Sequence, residues 1–112
     1  MELDSSKLNG VQVISVKADR IDSAAAIRFK DAVRAAVDDT TPRVVLDLGQ
    51  VTFVDSSGLG AIVAVMKFLG PERKLDLAGL TPDVDKVFRL TRMDTVFGIY
   101  GDVDSATRRA AG

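Results

Sequence analysis

The 112-residue chain predicts a single α/β domain over residues 1–112, a sandwich with a mixed, mostly parallel sheet of about five strands and four helices. Two observations carry that expectation. Short β-branched runs alternate with stretches whose apolar residues recur every three or four positions, a pattern that builds parallel strands covered by helices. Near the start, Asn9-Gly10 joins two strand-like runs directly, so the sheet opens with an antiparallel hairpin.

The hairpin strands are expected at Glu2 to Leu8 and at the β-branched run Val11 to Lys17. From Ser23 onward, Ala26, Phe29, Val33 and Ala36 fall on one side while Arg28, Asp31, Arg34 and Asp38 take the other, which predicts an amphipathic helix capped by Asp22 or Ser23. Pro42 ends the next turn. Val44 to Leu48 is apolar except for Asp47, as expected of a strand covered on both faces, and it is placed at the sheet centre. A second helix runs from about Ser57 to Leu69 and stops at Gly70-Pro71. Leu75 to Ala78 is a short strand. Thr81-Pro82-Asp83 reads as an N-cap, a proline at the first helical position and an acid in the first turn, so Thr81 to Leu90 forms a third helix with Val84, Val87 and Phe88 inward. Val96 to Tyr100 supplies a last strand and Asp102 to Ala110 a last helix. The polar start and the tail from Arg108 to Gly112 are the loose ends.

Composition removes most catalytic classes. The chain has no Cys and no His, which excludes disulfides, thiolate and imidazole metal sites, Cys nucleophiles, His phosphorelays and the Ser-His-Asp triad. No cofactor and no metal is expected. Fifteen Lys plus Arg against sixteen Asp plus Glu give a net charge of -1, too little positive charge to favour generic nucleic-acid binding. Met1 to Ser6 does not read as a secretory signal, and the apolar run Leu59 to Met66 is far short of the about 20 residues of a membrane span, so a cytoplasmic protein without membrane insertion is expected.

The segment Val51 to Gly60 leaves a strand, turns and enters the second helix. Unpaired N–H groups at such a helix start can accept an oxyanion or a phosphoryl group; ordinary capping by Asp55 or Ser56 is the alternative. Two cofactor motifs fail here. A dinucleotide fingerprint would need Gly or Ala at Val63, and the Gly-Lys-Ser/Thr of a phosphate-binding loop is missing. Ser56 has neither a His base nor a nearby Lys, so a serine modified by another protein fits better than a nucleophile. The helix that follows is apolar on two sides, Leu59, Ile62, Val63 and Met66 on one and Ala61, Val65 and Phe68 on the other, with Lys67 its only charge. Such a helix is either enclosed by its neighbours or kept partly open for a partner.

Asp55-Ser56-Ser57-Gly58-Leu59-Gly60 after an apolar strand resembles the signature of STAS domains, specifically the stand-alone anti-sigma factor antagonists. The resemblance covers nearly the whole chain. Arg20-Ile21-Asp22 is similar to the loop before the family's first helix, and Thr81-Pro82 to Met93 to its third helix and following turn. What the resemblance implies is a STAS-type sandwich and a partner-switching regulator rather than an enzyme. Ser56 would be phosphorylated by an anti-sigma factor that is itself a Ser kinase, and a PP2C-type phosphatase would reverse it. Asp22, Asp55, Ser57, Gly58, Leu59, Ile62 and Val63 would form the partner-binding surface. Asp22 has a helix-capping role open to it as well. A STAS subunit held permanently in a transport or signalling complex, its serine never modified, is the alternative. Two positions depart from the family pattern: Asp19 and Arg92 both stand where glycine is usual. Arg92 would then adopt a positive φ at a cost of about 1 kcal/mol, or its turn would be built differently.

Overall fold

A computed structural model describes residues 1–108 of the chain. Strands β1 (Leu3–Leu8) and β2 (Val11–Val16) form the expected hairpin, and Asn9 (φ 53°) and Gly10 (φ 79°) make the tight turn that Asn-Gly favours. There follow β3 (Arg20–Ile21), α1 (Ala26–Ala36), β4 (Arg43–Asp47), β5 (Phe53–Val54), α2 (Ser56–Leu69), β6 (Lys74–Ala78), α3 (Pro82–Leu90), a 3-10 turn (Met93–Thr95), β7 (Gly98–Tyr100) and α4 (Val103–Thr107). The main sheet has five strands in the order β1-β2-β4-β6-β7, antiparallel only at the hairpin. Its centre is β4, where the apolar run Val44 to Leu46 is wholly buried. The two-residue strands β3 and β5 pair in parallel as a separate small sheet.

The alternation of side chains along each strand divides the core in two. On one face, Ile14, Val16, Val44, Leu46, Leu75 and Leu77 meet Phe29 and Val33 of α1, Ile62 and Val65 of α2, and Val84 and Phe88 of α3. On the other, Val11, Val13, Val45 and Ala78 lie under Ala106 of α4. Each fully buried Leu, Ile or Phe contributes about 1.5–3 kcal/mol, so the three-helix face carries most of the stabilisation.

Several boundaries depart from the sequence expectation, each for a local reason. Helix α1 starts at Ala26 rather than Ser23, and neither Asp22 nor Ser23 caps it. Asp22 instead organises the turn just before it, its carboxylate accepting from the N–H groups of Ala24 and Ala25. Thr81 stands at the N-cap of α3, but its hydroxyl donates to the Val51 carbonyl at 2.7 Å instead of capping the helix. Val84 and Phe88 point inward as expected, whereas Val87 is half-buried. The last strand begins at Gly98, not Val96. The N–H groups of Val96 and Phe97 both bond to the Met93 carbonyl, closing the 3-10 turn, and Phe97 packs edge-on against Phe88 with ring centroids 6.2 Å apart. Asp102 caps α4 through the N–H of Ser105. That helix ends at Thr107, Arg108 being extended, and residues 109 and 110 of the expected span lie outside the described residues.

Candidate functional site

The site forms where the segments leaving β2 and β4 meet. The Asp19 carbonyl accepts from the N–H groups of Thr52 (2.8 Å) and Phe53 (3.2 Å) and from the Thr52 hydroxyl (3.2 Å). That clamp sets the parallel pairing of Arg20 with Phe53 and Ile21 with Val54, which carries the Asp22 loop to the start of α2. Asp55 closes the junction. One carboxylate oxygen caps α2 through the Gly58 N–H at 2.9 Å, and the other accepts from the Ser23 N–H at 3.0 Å. A single carboxylate therefore locks two loops, and its oxygens are engaged with backbone rather than free for chemistry.

Gly58 is required by this packing. A Cβ placed there would lie 1.8 Å from the Ile21 carbonyl oxygen, an impossible approach for any other residue. At Gly60, two residues further along the motif, a Cβ would meet nothing within 4 Å. The motif's first glycine is thus steric, and its second answers no packing demand among the described residues.

Ser56 and Ser57 begin α2 and are both exposed. Asp22 is half-buried beside them in the locked loop, and Arg20 donates to its second oxygen at 3.2 Å. The Arg20 guanidinium, helped by the N–H groups of Ala25 and Ala24, holds the Asp22 carboxyl below its ordinary range. Arg20 also sits over the Phe53 ring, 4.2 Å from its centroid, and Phe53 stays 39% exposed, so a cation and an aromatic ring meet in the strand pair that leads to α2. Sequence reasoning missed this pair, because Arg20 and Phe53 meet only through the β3–β5 pairing.

The expected partner surface divides on inspection. Ser57 is exposed, and Asp22, Asp55, Leu59 and Val63 are half-buried at the rim. Ile62 is completely buried and Gly58 is packed under Ile21, so neither presents a side chain to a partner; they support the surface from beneath. Helix α2 is apolar all round chiefly because it is enclosed: Ala61, Ile62, Val65 and Leu69 face the core, and Leu59, Val63 and Met66 pack at its margins. Phe68 alone of its large apolar residues is substantially exposed, at 45%, with Arg34 over its ring. The capping reading of Asp55 is observed directly. At the two glycine-deviant positions, Arg92 does adopt the left-handed conformation (φ 63°, ψ 21°), whereas Asp19 does not.

Among the described residues no group of Asp and Glu side chains is placed to hold a metal ion, and no helix is long and apolar enough to cross a membrane.

A hairpin-led parallel sheet, with a serine-bearing helix start locked to the loop before the first helix, defines the STAS architecture. The chain belongs to the STAS domain family, whose model matches residues 2–106. A relative from Bordetella bronchiseptica, named "Putative anti-sigma factor antagonist BtrV", is 30% identical over 107 residues, covering 95% of this chain and 91% of its own. The crystal structure of an anti-sigma factor antagonist from Mycobacterium paratuberculosis superposes with a TM-score of 0.82 at 31% identity, over 94% of this chain and 89% of that one. The unphosphorylated form of the anti-sigma factor antagonist SpoIIAA shares the fold, with a TM-score of 0.71 at 17% identity over 98% of this chain and 100% of that one.

Proposed function

We propose that this chain is a cytoplasmic anti-sigma factor antagonist that acts by binding and has no catalytic activity of its own. Unphosphorylated, it docks on an anti-sigma factor that is also a Ser kinase, and the sigma factor is released. Phosphorylation of Ser56 by that kinase ends the binding, and a PP2C-type phosphatase restores it. The observation that carries this reading is Ser56 itself: an exposed hydroxyl at the first position of α2, directly after the Asp55 lock and matching the family's acceptor. The names of the two relatives at about 30% identity support the same class.

The chemistry of the switch follows from charge. A phosphoserine brings about -1.5 to -2 charge at pH 7, and at a helix N-terminus such charge is stabilising by about 0.3–1 kcal/mol. The fold therefore tolerates it. A partner docking on Leu59 and Val63 would have to desolvate that dianion beside Asp22 and Asp55, and a loss of even about 3 kcal/mol is over a hundredfold in affinity. A permanently bound transporter or signalling subunit is the competing reading. The fold is shared with a segment of the murine anion transporter Slc26a9 at 17% identity and a TM-score of 0.76, covering 18% of that chain, and so bears on architecture alone.

The direct test supplies the cognate kinase and ATP to wild-type protein and to Ser56→Ala and Ser57→Ala variants, with the phosphosite mapped by mass spectrometry. Phosphate on Ser56 in the wild type and in Ser57→Ala, with none taken up by Ser56→Ala, is expected. Label on Ser57 in the wild type contradicts the assignment.

A further inference from the structure

At the opposite end of α2 from Ser56, a recess of about 470 Å³ opens between the last turn of that helix, the Gly70-Pro71 turn and the start of β6. Its apolar wall is built by Met66, Leu75 and Val96, and its charged groups are Lys67, Arg73 and Lys74. The chain as a whole carries sixteen acids against fifteen bases, yet no Asp or Glu lines this recess. The segregation is local and one-signed.

The three cations are not equivalent. Arg73 is a structural anchor: its guanidinium donates to the carbonyls of Thr41 (2.9 Å) and Asp38, pinning the loop before β4. Lys74 reaches to 3.9 Å from one oxygen of the buried Asp76, whose other oxygen is held by Arg43. Lys67, the one charge on α2, pairs with no carboxylate among the described residues. Val96 stays 45% exposed at the rim instead of entering the core beside Phe97. A recess of this size falls in the range of small-molecule sites, which pair an apolar body with a few placed polar groups.

We propose that this recess binds a small amphipathic anion, a carboxylate or phosphate monoester carried on an aliphatic body. The head group sits between Lys67 and Lys74, and the alkyl part lies on Met66, Leu75 and Val96. Because the recess and Ser56 occupy opposite ends of one helix, the ligand leaves the serine face uncovered, and the site does not depend on the switching role of Ser56.

Amide chemical shifts of the unmodified protein are followed on titration with decanoate and, separately, decyl phosphate, both below their micelle concentrations. Saturable shifts confined to Lys67, Gly70, Arg73 and Val96 and their neighbours are expected, with decanoate and decyl phosphate distinguishing a carboxylate from a phosphate head. Lys67→Glu and Val96→Glu change exposed side chains and should keep the circular dichroism spectrum while weakening binding by about tenfold each. Lys86→Glu, on α3, should leave it unchanged. Equal affinity for decyltrimethylammonium, shifts that do not saturate, or undiminished binding by Lys67→Glu would each overturn the assignment. Saturation by an acidic peptide but by neither alkyl anion would also overturn it, in favour of a protein partner.

Discussion

Two glycines in one motif make opposite demands. Gly58 lies against the Ile21 carbonyl, so Gly58→Ala must push the Arg20–Asp22 loop away from α2, and a destabilisation of about 1–3 kcal/mol or more is expected in urea unfolding. Gly60 faces open space within a helix, so Gly60→Ala should stabilise by about 0.5–1 kcal/mol, and any loss of partner binding in that variant would place the partner's surface directly over it. Asp22 gives a second residue-level test. Its carboxyl is held below the ordinary value of 3.8 by Arg20 and the turn N–H groups, so its contribution is present above the unfolded-state value and is lost as pH falls through the lower folded-state value. Thermal scans across the acid range should therefore show a shallower loss of stability for Asp22→Asn than for the wild type; identical acid limbs would mean that this carboxylate is not linked to folding. At this scale the sequence was readable where a residue acts on its near neighbours. Capping of α2 by Asp55 or Ser56 was legible from position, and the bond to the Gly58 N–H selects Asp55. Its second bond, to the Ser23 N–H thirty-two residues away, and the stacking of Arg20 on Phe53 come from tertiary pairing that no local pattern encodes.

Among the elements, those with strong periodicity or explicit turn chemistry were legible: the Asn9-Gly10 hairpin, the buried β4 run, and helices α1 to α3 to within three residues at their starts. The two-residue strands β3 and β5 and the 3-10 turn were not, whereas the three-residue β7 lies inside its expected span of Val96 to Tyr100. Strands β3 and β5 exist because the Asp19 carbonyl gathers three donors from Thr52 and Phe53, and the 3-10 turn exists because Phe97 swings in to meet Phe88. The helix-enclosure question at α2 was likewise open in the sequence, since an all-round apolar helix reads the same whether neighbours or a partner cover it. Packing answers it for Ile62, which belongs to the core. The turn after α3 carries a cost that an element-level substitution can recover. Arg92 sits at φ 63°, and Arg92→Gly should raise stability by about 0.5–1 kcal/mol in urea denaturation; an unchanged or lower midpoint would mean that the arginine side chain compensates for its backbone strain.

For the molecule as a whole, the proposed switch is separate from what holds the fold. The sheet and the three-helix face supply stability, while the serine face is held by backbone bonds from Asp55 and Asp22 that a phosphate on the exposed Ser56 hydroxyl does not break. Phosphorylation should change what the surface can dock with and leave the fold in place. The measurement that tests this most directly compares unmodified protein, the Ser56 phosphoprotein and Ser56→Ala for affinity to the cognate anti-sigma kinase by calorimetry, with melting temperature and circular dichroism recorded on the same samples. The account predicts matching spectra and nearly equal melting temperatures throughout, tight binding by the unmodified and Ser56→Ala forms, and affinity at least about a hundredfold weaker for the phosphoprotein, the equivalent of about 3 kcal/mol. A phosphoprotein that binds as tightly as the unmodified form, or that loses binding only together with a large drop in melting temperature, would contradict it.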